Sequence, residues 1–189
     1  MGLFTRERFT ALATLTTLVT LAIGYKAAYL PKGEWTFFSY HPLFMTLAFV
    51  GCFGNSALIK KMGGYKNTKT HGITVWMGIF LSLAGLYVIY TNKNNHGKEH
   101  FTSKHGKFGM VYIVSVIGLG MFAGTALHPD FGIAKTSKLI RKVHNIAGKV
   151  ALAVGWAVCF SGIYKMTSNH VTQFAFGLPL LAMVPTILL

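Results

Sequence analysis

Residues 71–90 read HGITVWMGIFLSLAGLYVIY, a histidine followed by nineteen residues that carry no formal charge. A bilayer core about 30 Å thick is crossed by about 20 apolar residues in a helix, so this run reads as a membrane span with an imidazole at its start. Five further runs of similar character cover residues 10–30, 42–59, 108–127, 145–164 and 171–189. Short stretches rich in helix breakers or charge separate them: Pro31-Lys32-Gly33, Lys60-Lys61-Met62-Gly63-Gly64, Asn92-Lys93-Asn94-Asn95, His128-Pro129-Asp130 and Thr167-Ser168-Asn169. The pattern predicts an all-α membrane protein, with six transmembrane helices in one domain over residues 1–189.

Composition agrees. The chain has 189 residues, 52% of them hydrophobic and only 12% charged, with a mean hydropathy of +0.49, which is too apolar for an ordinary soluble domain. Its net charge of +14 arises from 18 Lys and Arg against four acidic residues. The cations lie almost entirely between the apolar runs, which fits membrane-flanking loops and argues against a nucleic-acid face. Cys52 and Cys159 sit inside apolar runs and neither belongs to a C-x-x-C-H sequence, so covalent haem attachment of the c type is excluded.

Six spans put both termini on one side. The N-terminal tail and the loops after runs two and four carry ten Lys and Arg, and the opposite loops carry seven. By the positive-inside rule the termini are cytosolic.

His41, His71, His105 and His144 each stand at or just before the start of a separate apolar run. Runs two and four begin on the non-cytosolic side, which places His41 and His105 at one depth. Runs three and five begin on the cytosolic side, which places His71 and His144 at the other. A lone histidine at a membrane interface is ordinarily a wet helix end. Four that segregate into two pairs on parallel-running helices predict two b-type haems, gripped by imidazoles in a central four-helix core, with the first and last helices outside it. Two imidazoles fill both axial positions of the iron and leave no site for dioxygen, which favours electron transfer. Two such centres divide the crossing of a poorly conducting medium into shorter steps. Two other readings stand beside this one: a haem-binding membrane subunit that relays electrons to a partner protein or quinone, and a haem-free transporter or scaffold.

At Phe37-Phe38-Ser39-Tyr40-His41-Pro42 and at Phe101-Thr102-Ser103-Lys104-His105-Gly106 the sequence resembles the cytochrome b561 family of transmembrane ascorbate-dependent reductases, in particular its short six-helix branch. The resemblance covers nearly the whole chain. It implies two haem b groups with the pairings above, cytosolic ascorbate as donor, and monodehydroascorbate or ferric iron, free or chelated, as acceptor on the far side. It further implies that cations ahead of the third-run ligand bind the donor anion. Here Lys61, Lys66 and Lys69 occupy that stretch, equally readable as a positive-inside loop, and Arg141 and Lys142 stand close before His144.

On the far side the better-known members carry a substrate histidine where this chain has Asn94. His96 and His100 lie nearby as alternative acceptor residues, against a reading as solvated loop histidines. The glutamine and tryptophan often found in the family's fourth span are absent. Trp76, Trp156, Phe108 and Tyr112 are set either to flank porphyrin or to pack the bundle, Lys149 either to snorkel or to meet a haem propionate, and His128 and His170 are interface or loop residues. The bilayer itself is a partner, a homodimer is left open, and the membrane is an endomembrane (ER or vesicle) or the plasma membrane.

Overall fold

The computed structural model describes residues 4–188, and side-chain surroundings through residue 182. Among these residues there is helix and no strand. Six helical rods follow one another: α1 (Arg6–Tyr29), α2 (Phe37–Lys61), α3 (Gly64–Asn95), α4 (Lys104–Leu127), α5 (Lys138–Met166) and α6 (His170–Leu188). The first five are long and apolar enough to cross a membrane, which makes the chain a multi-pass membrane protein. Leu189, where the sequence ends its sixth run, lies outside the described residues.

Local chemistry sets the boundaries. Thr5, Ser103 and Ser137 each turn a hydroxyl oxygen to a backbone N–H of the first turn, at 3.2, 3.1 and 3.3 Å, and so cap α1, α4 and α5. Between α2 and α3 the chain reverses over Met62 and Gly63, with φ at +68° for Gly63 and +81° for Gly64, a region that residues with a Cβ enter only under strain. The Lys60–Gly64 separator is therefore mostly helix. α3 therefore begins at Gly64, ahead of His71, and the Ser137 cap starts α5 at Lys138, ahead of His144, so those two imidazoles lie well inside their helices and not at the first turn.

Helix α2 sits at the centre, in contact with α1, α3, α5 and α6. Its middle, Leu47–Cys52, winds as a π-helix whose Ala48, Phe49 and Val50 are buried. A wide turn in a medium without water must have its carbonyls satisfied by protein. The Trp156 indole N–H donates to the Phe49 carbonyl at 2.8 Å, and the Asn55 amide donates to the Gly51 carbonyl at 3.0 Å. Small residues let the rods close in. A Cβ on Gly51 would stand 2.9 Å from the Thr20 methyl, and one on Gly78 2.6 Å from the Phe53 ring. Large apolar side chains such as Leu18, Phe80, Phe108 and Leu178 point outward with 60% or more of their surface exposed. A belt of that kind suits lipid and would be a liability in water.

Candidate functional site

The four histidines come together as two pairs. His41 on α2 faces His105 on α4, with ring centres 6.4 Å apart and planes at 83°. His71 on α3 faces His144 on α5, at 6.2 Å and 82°. The His41 ring bonds the Gly85 carbonyl, and the rise from residue 71 to residue 85 of α3 is about 21 Å, so the pairs occupy opposite ends of the bundle.

Three of the four rings have their tautomer fixed by what they touch. His41 Nδ1 meets the Gly85 carbonyl at 2.9 Å, and His71 Nδ1 meets the Ser56 carbonyl at 3.0 Å with the Ser56 hydroxyl at 3.1 Å. A carbonyl only accepts, so both Nδ1 atoms carry the proton. His105 Nδ1 lies 2.9 Å from the Ser161 hydroxyl, whose own proton goes to the Val158 carbonyl at 2.7 Å, so here too the ring donates. In each case the lone pair is left on Nε2, the arrangement that metal-ligating histidines adopt. His144 Nδ1 is buried without a partner.

These residues fit haem iron. With imidazole–metal bonds of about 2.0 Å, two imidazoles on opposite sides of one ion place their ring centres about 6 Å apart. Each pair supplies two nitrogen donors, and no cluster of three or more His, Cys, Asp or Glu occurs among the described residues. Two donors suffice where a macrocycle supplies the other four.

At the His71–His144 end the rings border a cavity of about 1630 Å³, opening between α3, α4 and α5. Gly72, Gly124 and Gly148 line it, and a Cβ on any of them would meet nothing within 4 Å. Trp76 lines the wall, whereas Trp156 and Tyr112 are core residues, 2% and 5% exposed, and Phe108 faces outward.

Lys61, Lys69 and Arg141 of the sequence-derived set reach this cavity, joined by Lys60 and Lys149. Lys66 and Lys142 are exposed and do not line it. Height along the helix separates Lys66 from Lys69, since Lys66 stands one turn before Lys69 on nearly the same face of α3, whereas Arg141 and Lys142 are adjacent and project about 100° apart around α5. Lys60 and Arg141 repel one another, as do Lys61 and Lys149, so positive charge gathers at the mouth. Asp130 is the exception. Its carboxylate accepts from the Tyr65 hydroxyl at 2.5 Å and pairs with Lys69 at 3.0 Å, the single ion pair among the described residues. Both contacts hold its carboxyl below the usual carboxylate range, the phenol first and the ammonium second.

At the other end, His96 is exposed and donates from Nδ1 to the Asn92 carbonyl at 2.7 Å. His100 stacks on Tyr90 at 4.2 Å with Nε2 against the Asn94 amide oxygen at 2.7 Å. His170 meets Gln173 at the start of α6. The sequence reading missed Ser56, Gly85 and Ser161 as partners of the histidines, since nothing local marks them. It also missed Asp130, for which a signal existed: a lone acid in a stretch of cations.

Residues 40–169 match the family model described as eukaryotic cytochrome b561. The chain belongs to the cytochrome b561 family. Three curated relatives carry the name transmembrane reductase CYB561D2. The one from Mus musculus is 25% identical over 170 residues, covering 83% of this chain and 74% of its own length. The one from Homo sapiens is 25% identical over 191 residues, covering 94% and 84%. The one from Bos taurus is 24% identical over 162 residues, covering 79% and 71%. Membership in the cytochrome b561 family implies haem b, and the names of these relatives support a membrane oxidoreductase. The matched segment contains all four paired histidines.

Proposed function

We propose that this cytochrome b561 protein carries single electrons across its membrane, from ascorbate on the side of its termini, the cytosol, to monodehydroascorbate or ferric iron on the other side. The observation that carries this reading is the geometry of the histidines, two pairs with centres 6.4 and 6.2 Å apart at opposite ends of one bundle. His41 with His105, and His71 with His144, would hold one haem b each. Bound there, the haem would supply reversible one-electron chemistry.

The protein's own groups do the rest. Gly85, Ser56 and Ser161 lock ring orientation and keep Nε2 unprotonated. The cations at the cavity mouth, Lys60, Lys61, Lys69, Arg141 and Lys149, draw a monoanionic donor toward the His71–His144 end and favour loss of its proton on oxidation. Lys149 borders the same cavity and would meet a haem propionate there. On the far side the His100 ring, ordered by Tyr90 and Asn94, offers a site for the acceptor, and His96 stands beside it.

The test is reconstitution. Purified protein in vesicles loaded with ascorbate reduces an external ferric chelate without any added partner. A rate that appears only when a partner protein or quinone is supplied overturns the reading in favour of a relay subunit, and a colourless preparation overturns it altogether.

A further inference from the structure

Asp130 lies in residues 128–137, which join α4 to α5 and border the cavity through His128, Pro129, Phe131 and Lys135. Every polar atom of Asp130 is engaged, its carboxylate across this mouth and its backbone within the connection. Oδ1 takes the Tyr65 hydroxyl at 2.5 Å and Oδ2 takes the Lys69 ammonium at 3.0 Å. Its carbonyl accepts from Lys135 at 2.7 Å, and its N–H donates to His128 Nδ1 at 3.2 Å. Lys69 also reaches the Tyr65 oxygen at 3.3 Å, so phenol and ammonium form a two-point receptor for adjacent oxygens on one small anion.

We propose that Asp130 is a built-in competitor at the donor site: its carboxylate occupies the Tyr65–Lys69 receptor, and an anionic donor with two neighbouring oxygens, an enediolate or a carboxylate, enters by displacing it. The inference rests on the proposed function for the identity of the mouth as the donor site. Displacement is feasible because the pair is shallow. The Lys69 and Asp130 side chains retain 41% and 40% exposure, and ion pairs of that kind are weak and screened by salt. The other cations of the mouth stay in place to hold a second charge. Asp130 thus raises the donor concentration needed for half-saturation and rejects neutral reductants no better than its absence would.

The experiment uses the haem-loaded protein in nanodiscs. Asp130→Asn lowers the half-saturating ascorbate concentration by about two- to fivefold, the exchange expected for an exposed pair. The maximal rate and the visible spectrum stay unchanged, and the difference shrinks at high ionic strength. Reduction by an uncharged hydroquinone is unaffected. An unchanged or increased half-saturating concentration in Asp130→Asn overturns the proposal, the increase indicating that Asp130 orients Lys69 for the donor. A second measurement is independent of electron transfer: the acylation rate of Lys69, followed by peptide mass spectrometry with oxalate as the anion. Oxalate protects Lys69 more strongly in Asp130→Asn than in the natural chain, and equal protection overturns the proposal even where ascorbate fails to reduce either protein. That failure would instead count against the proposed donor.

Discussion

Replacing Ser161 with Ala removes the acceptor for His105 Nδ1, a bond of 2.9 Å between α4 and α5. Loss of an outer partner of a metal-ligating histidine costs about 10- to 100-fold in metal affinity. The Val158 carbonyl, which accepts from the Ser161 hydroxyl at 2.7 Å, also stands beside the His105 ring and offers a partial substitute. The expected loss is therefore at the lower end, about tenfold. Ser56→Ala is the internal control. It removes the hydroxyl at 3.1 Å from His71 Nδ1 and leaves the backbone carbonyl at 3.0 Å, so haem retention there stays within about twofold. The assay is transfer of haem to a scavenger protein, followed at the Soret band, with the two centres distinguished by their reduced spectra. Ser161→Ala accelerates loss of one centre alone. Equal loss from the two variants, or faster loss from Ser56→Ala, would refute the assignment of tautomers and with it the claim that these partners prepare Nε2 for iron.

His71→Ala removes one centre and leaves the His41–His105 centre reducible, because the two pairs share no side-chain partner; pyridine haemochrome analysis reads this, and joint loss of both signals counts against independent pairs. Trp156→Phe orphans the Phe49 carbonyl in the π turn and lowers stability by about 1 kcal/mol, the range for hydrogen bonds within membranes, measured as a fall in the unfolding midpoint in detergent. Gly155→Ala drives a methyl group into the Tyr112 hydroxyl and costs about 1–3 kcal/mol. Tyr112→Phe restores part of it, since it removes a hydroxyl buried without a partner but leaves the ring carbon Cζ 2.7 Å from the added methyl, and a double variant no better than the single one rejects the contact. The tether from residues 128–137 to α3 depends on an ionised Asp130, whose pKa is lowered in the fold. A lowered carboxyl contributes above its unfolded value and loses that contribution only as pH falls through the folded one. Proteolysis of this connection is thus constant from about pH 8 to about pH 5 and rises only below about 3.9; a rise near about pH 6 would show another group in control.

The helix count and the pairing of His41 with His105 and His71 with His144 were legible because span length and the alternation of chain direction depend on composition and order alone. Boundaries were less so. A polar first turn such as Gly64-Tyr65-Lys66-Asn67 reads as loop, although α3 packs it as helix after a two-residue reversal. The division of Arg141 from Lys142 follows rotation about a helix axis, and that of Lys69 from Lys66 follows how far the cavity reaches along α3, neither of which the sequence names. Ser161 and Gly85 act through contacts made between helices far apart in the chain, which no local spacing encodes. Lys69 was legible only as one of several cations ahead of the third-run ligand; its place at the cavity and its engagement by Asp130 need the distance across the connection from α4.

The wide turn at Leu47–Cys52 gives α2 one residue of slack between its two duties, holding His41 toward α4 and Ser56 toward His71. Shortening α2 by one residue elsewhere would rotate one duty away from the other by about 100°. Removed within the bulge, the same residue lets the helix tighten while both ends keep their bearing. Length variation among natural homologues should accordingly collect at this point of α2, and a sequence lacking the extra residue should also dispense with the indole at the position of Trp156.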